Sequence, residues 1–219
     1  MSVSVKRLLL AAFAFATGVG LLGLLFYESV RFNDLDATLT ARLLAPEGSA
    51  RALIAHFASD GGGGGPLVVG LLVIAALGFL WRRPWHLLAG VAVFFLANIT
   101  TQLMKLVLSH PELQGALGAS YPVEIDYPSG HTTAAFSLGF ALWITAPPRW
   151  RAWAAAFGLA YGSAVGLGVV IAGWHYVSDV IGAVMVVGFW GALALAALVA
   201  AGLESPADRP PRSGPHRER

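Results

Sequence analysis

Tyr127-Pro128-Ser129-Gly130-His131-Thr132-Thr133 runs without a break into the apolar stretch that begins at Ala134. Pro and Gly flank a Ser, and the hydrophobic run starts directly after the His. That order reads as a helix N-terminus with Ser129 near the cap. The first backbone N–H groups of a helix lack partners within it, and with the helix dipole they favour an anion. A histidine placed there, His131, can give or take a proton near neutral pH. Two other stretches supply what this one lacks. Residues 98–105 bring a cation, Lys105, and Trp174-His175-Tyr176-Val177-Ser178-Asp179 brings a second His with a carboxylate one helical turn later. Together they predict an enzyme that works on a phosphate at a membrane surface.

The surrounding composition agrees. Of 219 residues, 57% are hydrophobic and 12% charged, and the mean hydropathy is +0.69. Soluble domains carry roughly a quarter charged residues, so an integral membrane protein is expected. With no cysteine, disulfides, thiol catalysis and Cys-ligated metals are excluded. The apolar runs predict six spans, at residues 8–27, 66–81, 85–108, 132–146, 153–172 and 175–203. The first has the basic start of a signal peptide, but its length and the lack of a small-residue cleavage site favour a retained helix.

The expected fold is therefore all-α, a six-helix membrane bundle over residues 1–203, followed by a disordered cytoplasmic tail at 204–219. Residues 28–65 are expected to form an extracytoplasmic loop. Within it Leu35, Leu39, Leu43 and Leu44, and then Leu53, Ile54 and Phe57, suggest short amphipathic helices at the interface or over the bundle. The glycines 61–65 read as a flexible joint. They are not a phosphate loop, because no Gly-Lys-Ser/Thr follows. Gly158, Gly162 and Gly166, four apart, read as a helix-packing face.

Charge sets the expected orientation. Lys6, Arg7, Arg82, Arg83, Arg149, Arg151 and the basic tail fall on one side of the six-span plan. Arg31, Arg42, Arg51, Lys105 and most acidic residues fall on the other. The positive-inside rule then makes both termini cytoplasmic and places Lys105, His131 and His175 outside, as in a bacterial-type plasma membrane protein.

Asn98, Thr101, Gln102 and Lys105 share one helix face. The first three suit interhelical hydrogen bonding. Lys105 either snorkels from the helix end or serves a site. His175 and Asp179 stand at i and i+4, so a carboxylate can fix the imidazole tautomer and free the other nitrogen for attack or proton transfer. A metal held by His131, His175 and Asp179 is disfavoured, as neither His-x-x-x-His nor Glu-x-x-His spacing is present.

Lys105, Pro128-Ser129-Gly130-His131 and His175-x-x-x-Asp179, separated by membrane spans, resemble the three signature motifs of the type 2 phosphatidic acid phosphatase (PAP2) superfamily. The resemblance covers roughly residues 30–200. It implies that His175 attacks phosphorus and becomes phosphohistidine, that Asp179 orients it and that His131 protonates the leaving alkoxide. Lys105, Ser129 and Gly130 would hold the phosphate oxygens, with no metal or other cofactor. The implied partners are a lipid phosphate and the membrane lipids, with no nucleic acid. Polyprenyl, lipid-linked sugar and glycerolipid phosphates or diphosphates all fit. A phosphotransferase using the same His, or a non-catalytic lipid-phosphate binder or transporter, is the alternative. A vanadate-dependent haloperoxidase shares the site logic but not the six apolar spans.

The chain also departs from the family pattern. Arg-Pro of the first motif is Glu112-Leu113 here, and Ser-Arg of the third is Gly168-Val169. Arginine contributes bidentate phosphate contacts that lysine cannot. His110 and Gln102 are candidate accessory groups. The arginines left on that side are Arg31, Arg42 and Arg51, so the first loop is expected to close over the pocket about residues 61–65 and lend one of them. Otherwise the pocket takes a less charged group, such as a phosphodiester.

Overall fold

The computed structural model describes residues 5–108 and 127–203. They form eight helices: α1 (Val5–Glu28), α2 (Val30–Leu43), α3 (Ala50–Asp60), α4 (Gly64–Leu80), α5 (Pro84–Val107), α6 (Gly130–Thr145), α7 (Pro148–Ile171) and α8 (Val177–Ala200). No strand occurs among the described residues, so the all-α expectation holds. His110, Glu112 and the tail at 204–219 lie outside the described residues.

Local chemistry sets the helix ends. α5 and α7 start on Pro84 and Pro148, whose fixed φ and missing N–H suit a first turn. Ser29 and Ser49 cap α2 and α3, their hydroxyls accepting from Phe32 N–H at 3.3 Å and Ala52 N–H at 3.1 Å. α7 ends in a Schellman turn. Gly173 takes φ +76°, its N–H donates to Val170 O at 3.0 Å, and Trp174 N–H donates to Val169 O at 2.8 Å. His175 follows directly, so this turn sets where it starts.

α6 is the central helix, packed against α4, α5, α7 and α8, while α1 lies along α8. Close helix approach depends on glycine. A Cβ on Gly158 would stand 2.9 Å from Gly139 Cα, and one on Gly162 would stand 2.7 Å from the Phe136 ring. With Gly166 facing Thr132 and Val180, the glycine face predicted on α7 does meet α6. Gly158→Val therefore forces two helix backbones apart, and overpacking of this kind costs about 1–3 kcal/mol. We expect an earlier unfolding midpoint for purified Gly158→Val. Gly65→Ala, with open space around it, should leave the midpoint unchanged or raise it.

By length, the described helices give four or five candidate spans where six were expected. α1, α5, α7 and α8 are each long and apolar enough to cross a membrane, and α3 with α4, bent by 48°, forms a fifth candidate. α6 has 16 residues, a rise of about 24 Å, short of the hydrocarbon thickness of about 30 Å. Protein surrounds it, so it need not match that thickness. Four to five candidate spans make this an integral membrane protein. α1 behaves as a bundle member: Phe15 meets Gly188 and Gly18 meets Met185.

The basic turns gather at one end. Arg83, between α4 and α5, and Arg151, early in α7, both donate to Ala146 O. Lys105 and His131 sit at the opposite ends of α5 and α6. The connection between α1 and α4 crosses that second end, with α2 against α7 and α8 and α3 against α7. Its helices turn their polar faces inward. α2 buries Asp36 and Thr40 and exposes Leu35 and Leu39, while α3 buries Ala52, Ala55 and Ser59 and exposes Leu53, Ile54 and Phe57. Their apolar stripes face outward, as on helices lying in a membrane interface.

Candidate active site

The Schellman turn of α7 and the first turn of α8 hold His175 and Asp179. His175 is 9% exposed and Asp179 fully buried. With a carboxylate as acceptor, His175 Nδ1–H donates to Asp179 Oδ2 at 3.1 Å, which leaves Nε2 as the basic ring nitrogen. The same oxygen accepts Tyr176 N–H at 2.9 Å. Asp179 thus caps its own helix and orients the imidazole with one atom.

The turn before α6 lies against this dyad. Ser129 N–H donates to the Asp179 carbonyl at 3.1 Å, and Ser129 Oγ accepts Thr132 N–H at 3.4 Å, confirming Ser129 as the cap. Tyr127 anchors the turn: it is fully buried, its hydroxyl donates to Val19 O at 3.1 Å, and Gly182 makes room for its ring. Lys105 arrives from α5. A Cβ on Gly130 would lie 3.7 Å from both Lys105 Nζ and Gln102 Nε2. Thr101 Oγ1 meets Thr133 Oγ1 at 3.0 Å, and Asn98 Nδ2 donates to Ser137 Oγ at 3.2 Å. These pairs are the polar contacts between helices that the α5 face predicted. Gln102 is instead exposed beside the Gly130 turn.

His131 stands on the first turn of α6, its ring 5.4 Å from that of Trp174. Burial pushes its proton affinity below the ordinary imidazole value, and the charges of His175 and Lys105 push the same way while Asp60 opposes them. Lys105, Ser129, Gly130, His131, His175 and Asp179 thus lie together at one end of the bundle. The arrangement offers an anion-binding helix terminus, a cation, an oriented imidazole and a second imidazole suited to proton transfer. No group of three metal-binding side chains occurs among the described residues.

The loop arginines lie on α2 and α3. Arg51 donates to Leu43 O at 2.8 Å, Arg31 and Arg42 are exposed, and the charged groups acting on His131 include no arginine. Residues 61–63 form a packed turn in place of a loose joint. A Cβ on Gly62 would stand 2.8 Å from His131 Cβ, and the Tyr161 hydroxyl donates to Gly61 O. Where the family carries Ser-Arg, Gly168 lets α3 approach, since a Cβ there would meet Ala55 O at 2.9 Å. Val169 is fully buried, so an arginine at 169 would have to displace packed neighbours. Sequence reasoning missed Asp36, Thr40, Trp174 and His56, whose ring lies 5.4 Å from Trp174. A signal existed for the first two, polar residues at i and i+4 on α2 about a quarter turn round from Leu35 and Leu39.

A family model described as the PAP2 superfamily matches residues 84–202, more than half of the chain, with Lys105, Ser129, Gly130, His131, His175 and Asp179 inside the match. The fold is similar to the crystal structure of a transmembrane PAP2 type phosphatidylglycerolphosphate phosphatase from Bacillus subtilis. The TM-score is 0.70 at 15% identity, over 89% of this chain and 98% of that one. At that identity the likeness is one of fold. No curated protein matches the sequence. With its motif residues meeting at one end of a helical membrane bundle, the chain belongs to the PAP2 superfamily.

Proposed function

We propose that this protein is a phosphatase that hydrolyses a phosphate ester or diphosphate of a lipid through a phosphohistidine on His175. The observation that carries the reading is the His175–Asp179 hydrogen bond at 3.1 Å, set beside the Gly130 turn and Lys105. His175 Nε2 forms a bond to phosphorus as the bond from phosphorus to the leaving oxygen breaks, and His131 gives that oxygen a proton. Water then attacks phosphorus, His131 takes its proton, the N–P bond breaks and inorganic phosphate leaves. Lys105, the Ser129 hydroxyl proton and the Gly130 N–H offset the charge on the phosphate oxygens. Arg31, Arg42 and Arg51, all in the connection between α1 and α4, are accessory candidates from the same side.

The substrate class includes polyprenyl, lipid-linked sugar and glycerolipid phosphates. Phosphatidylglycerol phosphate joins the panel because the fold neighbour is described as acting on it. Purified protein should release phosphate from at least one panel member, and His175→Ala should not. Release by neither, with vesicle-bound lipid phosphate retained equally by both, would favour the non-catalytic binder. The absence of arginine at 112 and 169 favours a second reading, a phosphodiester substrate, and a diester in the panel separates the two. Recovery of label on an alcohol acceptor would mark a phosphotransferase.

The site is proposed to open on the extracytoplasmic side, because the basic turns lie at the other end. The chain has no cysteine, so single thiols report sidedness cleanly. In intact cells a membrane-impermeant thiol reagent should label Glu47→Cys, exposed near the site, and spare Arg149→Cys, exposed at the basic end. The reverse pattern would invert the topology.

A further inference from the structure

The turn that carries His175 is gripped on both sides by the first connection of the chain. At its start, Ala45 N–H donates to Ile171 O, the last residue of α7, at 3.0 Å. At its end, Thr40 Oγ1 accepts Val177 N–H at 3.3 Å and Asp36 Oδ1 accepts Ser178 N–H at 3.2 Å. Asp36 Oδ2 also accepts the Ser178 hydroxyl proton. These are buried contacts: Asp36 is 5% exposed and Thr40 fully enclosed.

The pattern has a reason in helix chemistry. The first N–H groups of α8 need acceptors, and helices usually find them in a Ser, Thr, Asp or Asn at the N-cap. The N-cap of α8 is Tyr176, which has no short side-chain acceptor. Asp179 takes the Tyr176 N–H, and α2 takes the next two. A carboxylate is an expensive way to satisfy them, because burial opposes its charge and Asp179 is a like charge nearby. Stability alone would be served as well by a neutral acceptor. What the carboxylate adds is a rigid two-point hold on Ser178, the residue next to Asp179.

We propose that Asp36 and Thr40 are positioning residues for phosphoryl transfer, holding the first turn of α8 so that Asp179 stays bonded to His175. The chemistry they serve is the one proposed above for His175, so the proposal rests on that reading. They touch neither substrate nor the reacting atoms and act through the dyad. Misplacing a catalytic group by about 1 Å can cost roughly a hundredfold in rate, so the hold is worth having.

The test uses the full chain in detergent. Asp36→Ala and Thr40→Val should each lower kcat by about tenfold or more while KM changes by less than about twofold. Thr40→Ser, which keeps the acceptor, should recover most of the loss. In an Asp179→Asn background Asp36→Ala should add less than about a twofold further loss, because its effect runs through Asp179. Wild-type kcat in both variants, a loss carried by KM, or losses that multiply in the double variant would each overturn the proposal. A second measurement does not need turnover. In protein labelled with 15N-histidine, the hydrogen-bonded Nδ1–H resonance assigned by its disappearance in His175→Ala should shift or broaden in Asp36→Ala. A resonance unchanged by Asp36→Ala, or absent from the wild type, overturns the proposal. If that resonance moves but wild-type protein hydrolyses no lipid phosphate, the positioning stands and the phosphatase reading falls.

Discussion

His175→Ala is expected to lower kcat for the best lipid phosphate by at least about ten-thousandfold, since removing a covalent nucleophile leaves only binding and charge stabilisation. The site would still hold Lys105, Ser129 and Gly130, so KM should change little. That split separates the nucleophile from a phosphate ligand. With 32P-labelled substrate and acid-free quenching, wild type should retain protein-bound label that is stable to alkali and lost in acid, as expected of an N–P bond. Asp179→Asn should keep the fold while losing much of the rate, because an amide cannot hold the same tautomer; a comparable change elsewhere costs about ten-thousandfold. Label that persists on His175→Ala would move the nucleophile to another residue.

The second large effect belongs to His131. A general acid contributes about a hundred- to ten-thousandfold when the leaving oxygen needs a proton. His131→Ala should therefore lose that much with a lipid alkyl phosphate and little with an activated aryl phosphate. Equal losses with both would remove the acid assignment. The pH dependence has a definite sign. The acid must carry its proton, and burial with the neighbouring His175 and Lys105 charges holds its affinity below the ordinary imidazole value. For the free enzyme, kcat/KM should fall as pH rises through a value below about 6.5. The activated substrate should lack that limb, and so should His131→Ala.

Much of this was readable in one dimension because the chemistry is local. Ser129 caps α6 because a short hydroxyl before an apolar run has few better uses. His175 and Asp179 meet because four residues make about one helical turn. Gly158 and Gly162 face α6 because small residues at that spacing permit backbone approach. The meeting of Lys105 with Gly130 was expected from the positions of both at the same end of neighbouring apolar runs.

What the chain order could not decide was rotation and contact between distant segments. The leucines of α2 mark an apolar face but not whether it meets protein or lipid. Only the packed structure turns them outward and brings Asp36 and Thr40 to α8, 142 and 137 residues away along the chain. Gly62 could be read as slack in a joint, yet its missing Cβ is the space that His131 fills. The length of α6 mattered in the same way, since a helix enclosed by protein need not match the bilayer. Short-range rules come from bonds within a turn, and the sequence states those directly. Which polar group answers an unpaired N–H across a bundle depends on the positions of all the helices at once, and only the tertiary structure decides it.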